Sequence, residues 1–199
     1  MSKGLLSCVC GTLILLMSSL AIPSAYAQRN PLIFEPDHGV FQVGGGYQAQ
    51  HFNVPGESFH TNGFNTDFGV HMFDWITGAS VRVAVAAEAT AAFGFGHLNT
   101  DSSVSARTLF AGGGPHVSLQ SDSFVEPWIH VLPGWERFRF SQSGAVGTDS
   151  AFAFMAGGGL DFKMAPKVYW RMQGDYIVTH FQSSLQHNYS VGTGLVFYF

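Results

Sequence analysis

The sequence predicts an all-β protein: an eight-stranded antiparallel up-and-down transmembrane β-barrel. Three observations predict it. Apolar and polar residues alternate with a period of two in eight successive segments. The chain holds 24 glycines and 19 phenylalanines, with only 11% charged residues. One face of each segment is broadly apolar and aromatic, while the other carries glycine, small polar groups and isolated charges of both signs.

The chain opens with Lys3 and an apolar stretch, "GLLSCVCGTLILLMSSLAI", followed by small residues at Ala25 and Ala27. A basic start, an apolar core and an Ala-x-Ala site make a secretory signal peptide cut after Ala27. The apolar core is short for a membrane span of about 20 residues, which argues against an anchor. Both cysteines, Cys8 and Cys10, fall in the removed segment. The exported chain therefore has no disulfide, thiolate nucleophile or thiolate metal site. The organisation expected is a signal peptide over 1–27, a short lead over 28–38 and one barrel over 39–199. The whole chain carries a net charge of −4, and losing Lys3 deepens it by one. Without basic runs, nothing points to nucleic acid.

Residues 40–52 set Phe41, Val43, Tyr47 and Ala49 against Gln42, Gly44, Gly46, Gln48 and Gln50. Over 63–73, Phe64, Phe68, Val70 and Met72 oppose Asn65, Asp67, Gly69 and His71. Over 79–97, a run from Val81 to Phe95 opposes Arg82, Ala84, Glu88, Thr90 and Gly94. Over 107–120, Leu109, Ala111, Val117 and Leu119 oppose Thr108, Gly112, Gly114, His116 and Ser118. Over 124–140, Val125, Ile129, Val131 and Trp135 oppose Glu126, Trp128 and His130, and Pro133-Gly134 reads as a bulge that shifts the phase. Over 151–164, Phe152, Phe154, Ala156, Leu160 and Phe162 oppose Asp161, Lys163 and small residues. The last two segments set Val168, Trp170, Met172 and Tyr176 against Arg171, Gln173, Asp175 and Thr179, then Tyr189 through Phe199 against Ser190, Gly192, Gly194, Val196 and Tyr198.

The connections alternate in length. Residues 53–62, 98–106, 141–150 and 183–188 read as longer polar loops, and 74–78, 121–123 and 165–167 as tight turns. Long loops therefore belong at one end of the sheet. Loops such as "NVPGESFHTN" and "SQSGAVGTDS" are polar and generic, so any extracellular partner they bind is not written in them.

A water-soluble sandwich would also alternate. It explains the period but not a polar face so poor in Lys and Glu. A barrel in lipid explains both, because its outside touches hydrocarbon and its inside is a cramped polar lumen. A strand needs about 9–11 tilted residues to cross, and each segment reaches that. Closure pairs the last strand with the first and leaves no free edge. Trp75, Trp128, Trp135, Tyr169, Trp170, Tyr189, Phe197 and Phe199 are candidates for interfacial girdles.

The inward faces bring together Asp67, Glu88, Glu126, Asp161 and Asp175 with Arg82, Lys163 and Arg171, plus His71, His116 and His130. In a narrow lumen each charge needs a partner, so this set reads as a plug of ion pairs and hydrogen bonds. A proton or ion path would need an opening that eight strands do not leave. No histidines are spaced as a metal motif, so neither a metal nor another cofactor is expected. The triplets "GGG" at 44–46, 112–114 and 157–159 lie inside alternating strands and read as lumen packing.

The stretch from "DSAFAFMAGGGLDFKM" through "VYWRMQGDYIVTHF" to "VGTGLVFYF" resembles the small OmpA-type and OmpX-type eight-stranded barrels of the outer-membrane β-barrel domain family. Gly194, Phe197 and Phe199 resemble the terminal assembly signal of that family. The resemblance implies a place in the outer membrane, outer-membrane lipids and the barrel assembly machinery as partners, and a structural or surface-interaction role without catalysis. One alternative is a lipid-modifying enzyme, since His180 with Ser183 and Ser184 is similar to the lipid A deacylase pair. The spacing differs from that family's, and no glutamate follows Glu136. A narrow pore or small-ligand carrier is the other.

Overall fold

The computed structural model describes residues 38–54, 57–76, 81–143, 145–181 and 184–199. The signal peptide, its site at Ala25 and Ala27, and most of the short lead lie outside them. The fold is a closed antiparallel barrel with strands in chain order: β1 Phe41–Val54, β2 Glu57–Ile76, β3 Val81–Leu98, β4 Ser105–Ser121, β5 Val125–Gln142, β6 Ala145–Ala165, β7 Val168–Phe181 and β8 Ser184–Tyr198.

Closure lies between β1 and β8, where Gln42 faces Tyr198 and His51 faces Tyr189. The seam continues past the strand end: Phe199 donates its N–H to the Phe41 carbonyl at 2.8 Å, and Phe41 donates back to Phe199 at 3.2 Å. The terminal phenylalanine is thus stitched into the wall, as closure requires.

Alternation places side chains as the sequence reading expects. Phe41, Val43, Tyr47, Phe64, Phe68, Trp135, Phe152, Phe154, Trp170 and Leu195 are exposed on the outside. Gln48, Gln50, Thr61, Asp67, Glu88, His130, Asp161 and Arg171 are buried inside. A soluble protein would hide the first group and show the second.

Three expectations are corrected. Pro133-Gly134 makes no bulge: the β5–β6 register runs unbroken from Val125 opposite Phe162 to Gln142 opposite Ala145, so the phase is kept. Pro133 and Pro115 point outward, and β4–β5 pairing simply lapses between Gly112–Gly134 and His116–His130; a proline nitrogen has no hydrogen to donate to a ladder. The register shifts that do occur lie between His71 and Phe73, and between Lys163 and Ala165.

Most of the polar "long loops" are strand. Residues 57–62, 145–150 and 184–188 continue β2, β6 and β8 beyond the apolar belt, leaving only 55–56, 143–144 and 182–183 between strands. Pairing across a hairpin satisfies the backbone whatever the side chains, so polarity alone did not mark a loop. The connection 99–104 stays a loop. There Asp101 accepts the Ser103 N–H at 2.9 Å and Gln142 Nε2 at 2.8 Å, and the Ser103 bonds, led by its side chain, hold the Asp101 carboxyl below the usual carboxylate range.

Among the girdle candidates, Trp128 and Tyr169 are buried inside the barrel instead, at 3% and 0% exposure. Both fall on the inward phase; the Trp128 indole N–H finds a lumen partner in Asp161, whereas the Tyr169 hydroxyl bonds no described residue.

The lumen is layered. At the loop end Phe52, Phe59, Ala106, Phe138 and Ala151 form an apolar stopper, with Phe138 edge-on to Phe52 and Phe59 at 5.3 and 6.3 Å. A second apolar layer joins Ala92, Phe110, Leu132, Ala153, Met155 and Ile177. At the end where β1 begins and β8 finishes, Tyr169, Val196 and Tyr198 cluster. The charged groups lie between.

Candidate functional site: the charged plug of the lumen

Two linked clusters fill the middle of the barrel. In the first, Arg171 on β7 donates Nε and Nη2 to the two oxygens of Asp161 on β6, both at 2.8 Å. Its Nη1 lies 3.4 Å from Asp67 Oδ1 on β2. Trp128 on β5 donates Nε1 to Asp161 at 2.9 Å, and the guanidinium carbon sits 4.5 Å from its ring centre. One arginine is therefore held by a two-pronged carboxylate, a second carboxylate and an aromatic face.

In the second, Glu88 on β3 bridges two histidines on neighbouring strands, with His116 Nδ1 at 2.6 Å and His130 Nδ1 at 3.1 Å. His130 reaches across to Asp175 through Nε2 at 3.1 Å. Thr90 donates to Glu88 at 2.7 Å and Gln173 to Asp175 at 3.2 Å. His116 stacks on Trp128 at 5.0 Å, which joins the clusters.

Glycine makes the room. A Cβ on Gly44 would stand 2.2 Å from Asp67 Oδ1, and one on Gly157 2.1 Å from Asp175 Oδ1. The triplets at 44–46 and 157–159 thus set their inward glycines against plug carboxylates. They are lumen packing, as their place in the strands implied.

The remaining members of the expected set lie nearer the terminal end. Arg82 binds Gln120 at 2.7 Å and Asp74 at 2.9 Å, and His71 lies 3.2 Å from Asp74. Glu126 lies 2.8 Å from His38 Nε2, whose ring meets Tyr198 edge-on at 4.3 Å. Lys163 is half-buried at the close of β6. Asp67, Glu88, His116, His130, Asp161, Arg171 and Asp175 are brought together; His71, Arg82, Glu126 and Lys163 are not part of that group.

Sequence reading missed several participants. Asp74 belongs to the end cluster because the irregularity at Met72 changes the phase of β2. Phe52 and Phe59 share the phase of Gln50 and Thr61, so extending the alternation outward would have placed them inside. Glu136 is fully buried, and neither carboxylate oxygen bonds a described residue; it sits between Phe110 and Ala151 in register.

Glu88, His116 and His130 present ligand atoms within 4.8 Å of one another. Two histidines with one carboxylate make a metal-binding type of set, but here the same atoms satisfy each other as hydrogen-bond partners. The arrangement neutralises and orders buried charge.

No protein-family model and no curated protein sequence matches the chain. Its fold matches solved structures. Neisserial surface protein A is similar with a TM-score of 0.61 at 13% identity, over 81% of this chain and 98% of that one. Ail, the attachment invasion locus protein of Yersinia pestis, solved with the heparin analogue sucrose octasulfate, is similar with a TM-score of 0.50 at 14% identity, over 79% of this chain and 97% of that one. These likenesses concern the fold, an eight-stranded barrel of the outer-membrane type.

Proposed function

We propose that this chain is an outer-membrane barrel of the small OmpA or OmpX kind, exported by a signal peptide cleaved after Ala27 and assembled through its terminal Gly194, Phe197 and Phe199. Its role is structural or surface-interactive through the loop end, without catalysis. Its partners are outer-membrane lipids, the barrel assembly machinery and an extracellular partner at the loop end. The observation that carries the reading is the reversed wall: exposed aromatics outside, and a charged, hydrogen-bonded interior. Water would penalise that outside and hydrocarbon rewards it.

The plug and the phenylalanine stopper favour this reading over a pore, since side chains occupy the lumen at both levels. For the lipid-enzyme alternative, His180 faces outward while Ser184 lies on the inward phase of β8; that geometry supports a non-catalytic role for the pair, with Ser183 outside the described residues.

Heat modifiability tests the reading. The protein is purified from the outer-membrane fraction and its gel mobility compared with and without boiling in detergent. A compact band that shifts on boiling is expected. A soluble periplasmic protein with no shift would overturn the barrel and its membrane placement together.

A further inference from the structure

We infer that Arg107, Arg137 and Arg139 form a site on the outer wall of the barrel that binds the phosphates of a lipid headgroup at the loop-end face of the membrane. The inference rests on the membrane reading above and adds to it a ligand class and three residues.

The first argument is position. On β4 the outward residues from Leu109 to Leu119 are apolar or small, and the next outward residue is Arg107. On β5 the outward residues from Val125 to Trp135 are apolar, and the next two are Arg137 and Arg139. Each apolar run is about eleven residues, the length that crosses the hydrocarbon core. At its edge Trp135 meets Phe152 edge-to-face at 5.2 Å, both about half exposed or more. The three arginines therefore begin where hydrocarbon ends and headgroups start.

The second argument is charge. Arg107 stands directly opposite Arg139 across β4–β5, and Arg137 lies one outward position away, opposite Leu109. Like charges directly opposed in a sheet are destabilising. Elsewhere this protein pairs its arginines: Arg82 with Asp74, Arg171 with Asp161. Among the described residues, no carboxylate forms an ion pair with Arg107, Arg137 or Arg139. Asp149 faces Phe138 and so takes the inward phase of β6, and Asp101 is engaged by Ser103 and Gln142.

The third argument is chemistry. The outward neighbours on β6 are Thr148 opposite Arg139 and Ser150 opposite Arg137, hydroxyls that can donate to phosphate oxygens. The Arg107 guanidinium carbon lies 5.9 Å from the Phe95 ring centre, which holds the charged end of the side chain beside the wall. Three forked donors on two paired strands match a phosphate-bearing headgroup. Exposed Trp135 and Phe152, one rung towards the apolar belt, lie where the same lipid's acyl chains would run. A free anion would have no use for that second feature.

The test uses the full exported chain refolded into vesicles of phosphatidylcholine containing a tenth of bisphosphorylated lipid A, or of lipid A stripped of its phosphates. After extraction into nanodiscs, the lipid retained per barrel is measured by mass spectrometry. The wild type should enrich the phosphorylated form over the stripped form. Each Arg→Gln change at 107, 137 or 139 should lower the enrichment about fivefold, as for one basic residue at a charged membrane surface, and the triple change should abolish it. Lys163→Gln with Lys167→Gln, at the opposite end, should leave it intact.

Equal retention of both lipids by the wild type, or an unchanged enrichment in the triple variant, would overturn the inference. So would loss of enrichment on adding millimolar inorganic phosphate, which would make the site one for free anions. Binding of a heparin fragment through the same arginines without lipid enrichment would overturn it in favour of a polysulfated glycan. Heat modifiability of every variant is recorded alongside. A barrel that shifts but does not enrich lipid A refutes this site alone, whereas loss of the shift in the wild type refutes the membrane reading.

Discussion

Replacing Arg171 by methionine tests whether the plug holds the barrel together. Methionine keeps most of the stem volume, so the change removes interactions more than packing. It deletes two charge-assisted bonds to Asp161 at 2.8 Å, each worth about 1.5–3 kcal/mol. It also deletes the contact over Trp128 at 4.5 Å, worth about 1–2 kcal/mol when desolvated. Asp161 and Asp67, 2% and 6% exposed, are left facing each other without a cation. Relaxation and water entry return part of the sum, so the net loss expected is about 3–5 kcal/mol, as for other buried pairs broken on one side.

The assay is urea unfolding of the barrel in phosphatidylcholine vesicles, followed by tryptophan fluorescence and by the boiled and unboiled gel bands, with the midpoint and slope compared. Asp161→Asn is measured alone and with Arg171→Met. The double variant should lose less than the two singles together, by about 1–3 kcal/mol of coupling. A loss below about 1 kcal/mol for Arg171→Met, or fully additive singles, would refute the reasoning.

Glu136→Leu should stabilise the barrel by about 1–3 kcal/mol, because it replaces a fully buried carboxyl that bonds no described residue with an apolar side chain beside Phe110; the same urea titration reads it. Gly157→Ala should cost about 1–3 kcal/mol through overpacking against Asp175. Gly174→Ala on the neighbouring strand should stay within about 0.5 kcal/mol, since its nearest non-adjacent atom would be 3.9 Å away. Deleting Phe199 removes two hydrogen bonds at the seam, so refolding in vitro should lose only about 1–3 kcal/mol, while outer-membrane yield in cells, read by fractionation, should fall much further. Equal losses in both would count against a recognition role for the terminal residue.

The period of two made the wall legible, since the inward positions between Gln42 and Tyr198 follow from parity within each regular stretch of strand. Asp67, Asp161, Arg171 and Asp175 could be listed as lumen residues for that reason, but their pairing could not be read. Which carboxylate meets Arg171 depends on register, and a shift of one residue reverses a face. Local exceptions hid the rest. The irregularity at Met72 moved Asp74 into the end cluster, and because Pro133 kept the phase it was expected to break, Glu136 stayed on the inward face of β5. Hairpin extensions escaped because paired polar strands and polar loops share one composition.

On the placement proposed above, with the loop end outside the cell, those extensions change what an enzyme there can reach. Proteases grip a stretch of backbone whose own hydrogen bonds are free, and they find it at loop tips. Here the loop-end connections 55–56, 99–104, 143–144 and 182–183 contain neither lysine nor arginine, while Arg107, Arg137 and Arg139 are locked into ladders. Trypsin shaving of intact cells would pass this protein by, and an inventory of surface proteins built from released peptides would omit it. An antibody, which reads shape without needing to unzip a strand, would find the same end of the molecule presented as stiff ribbon.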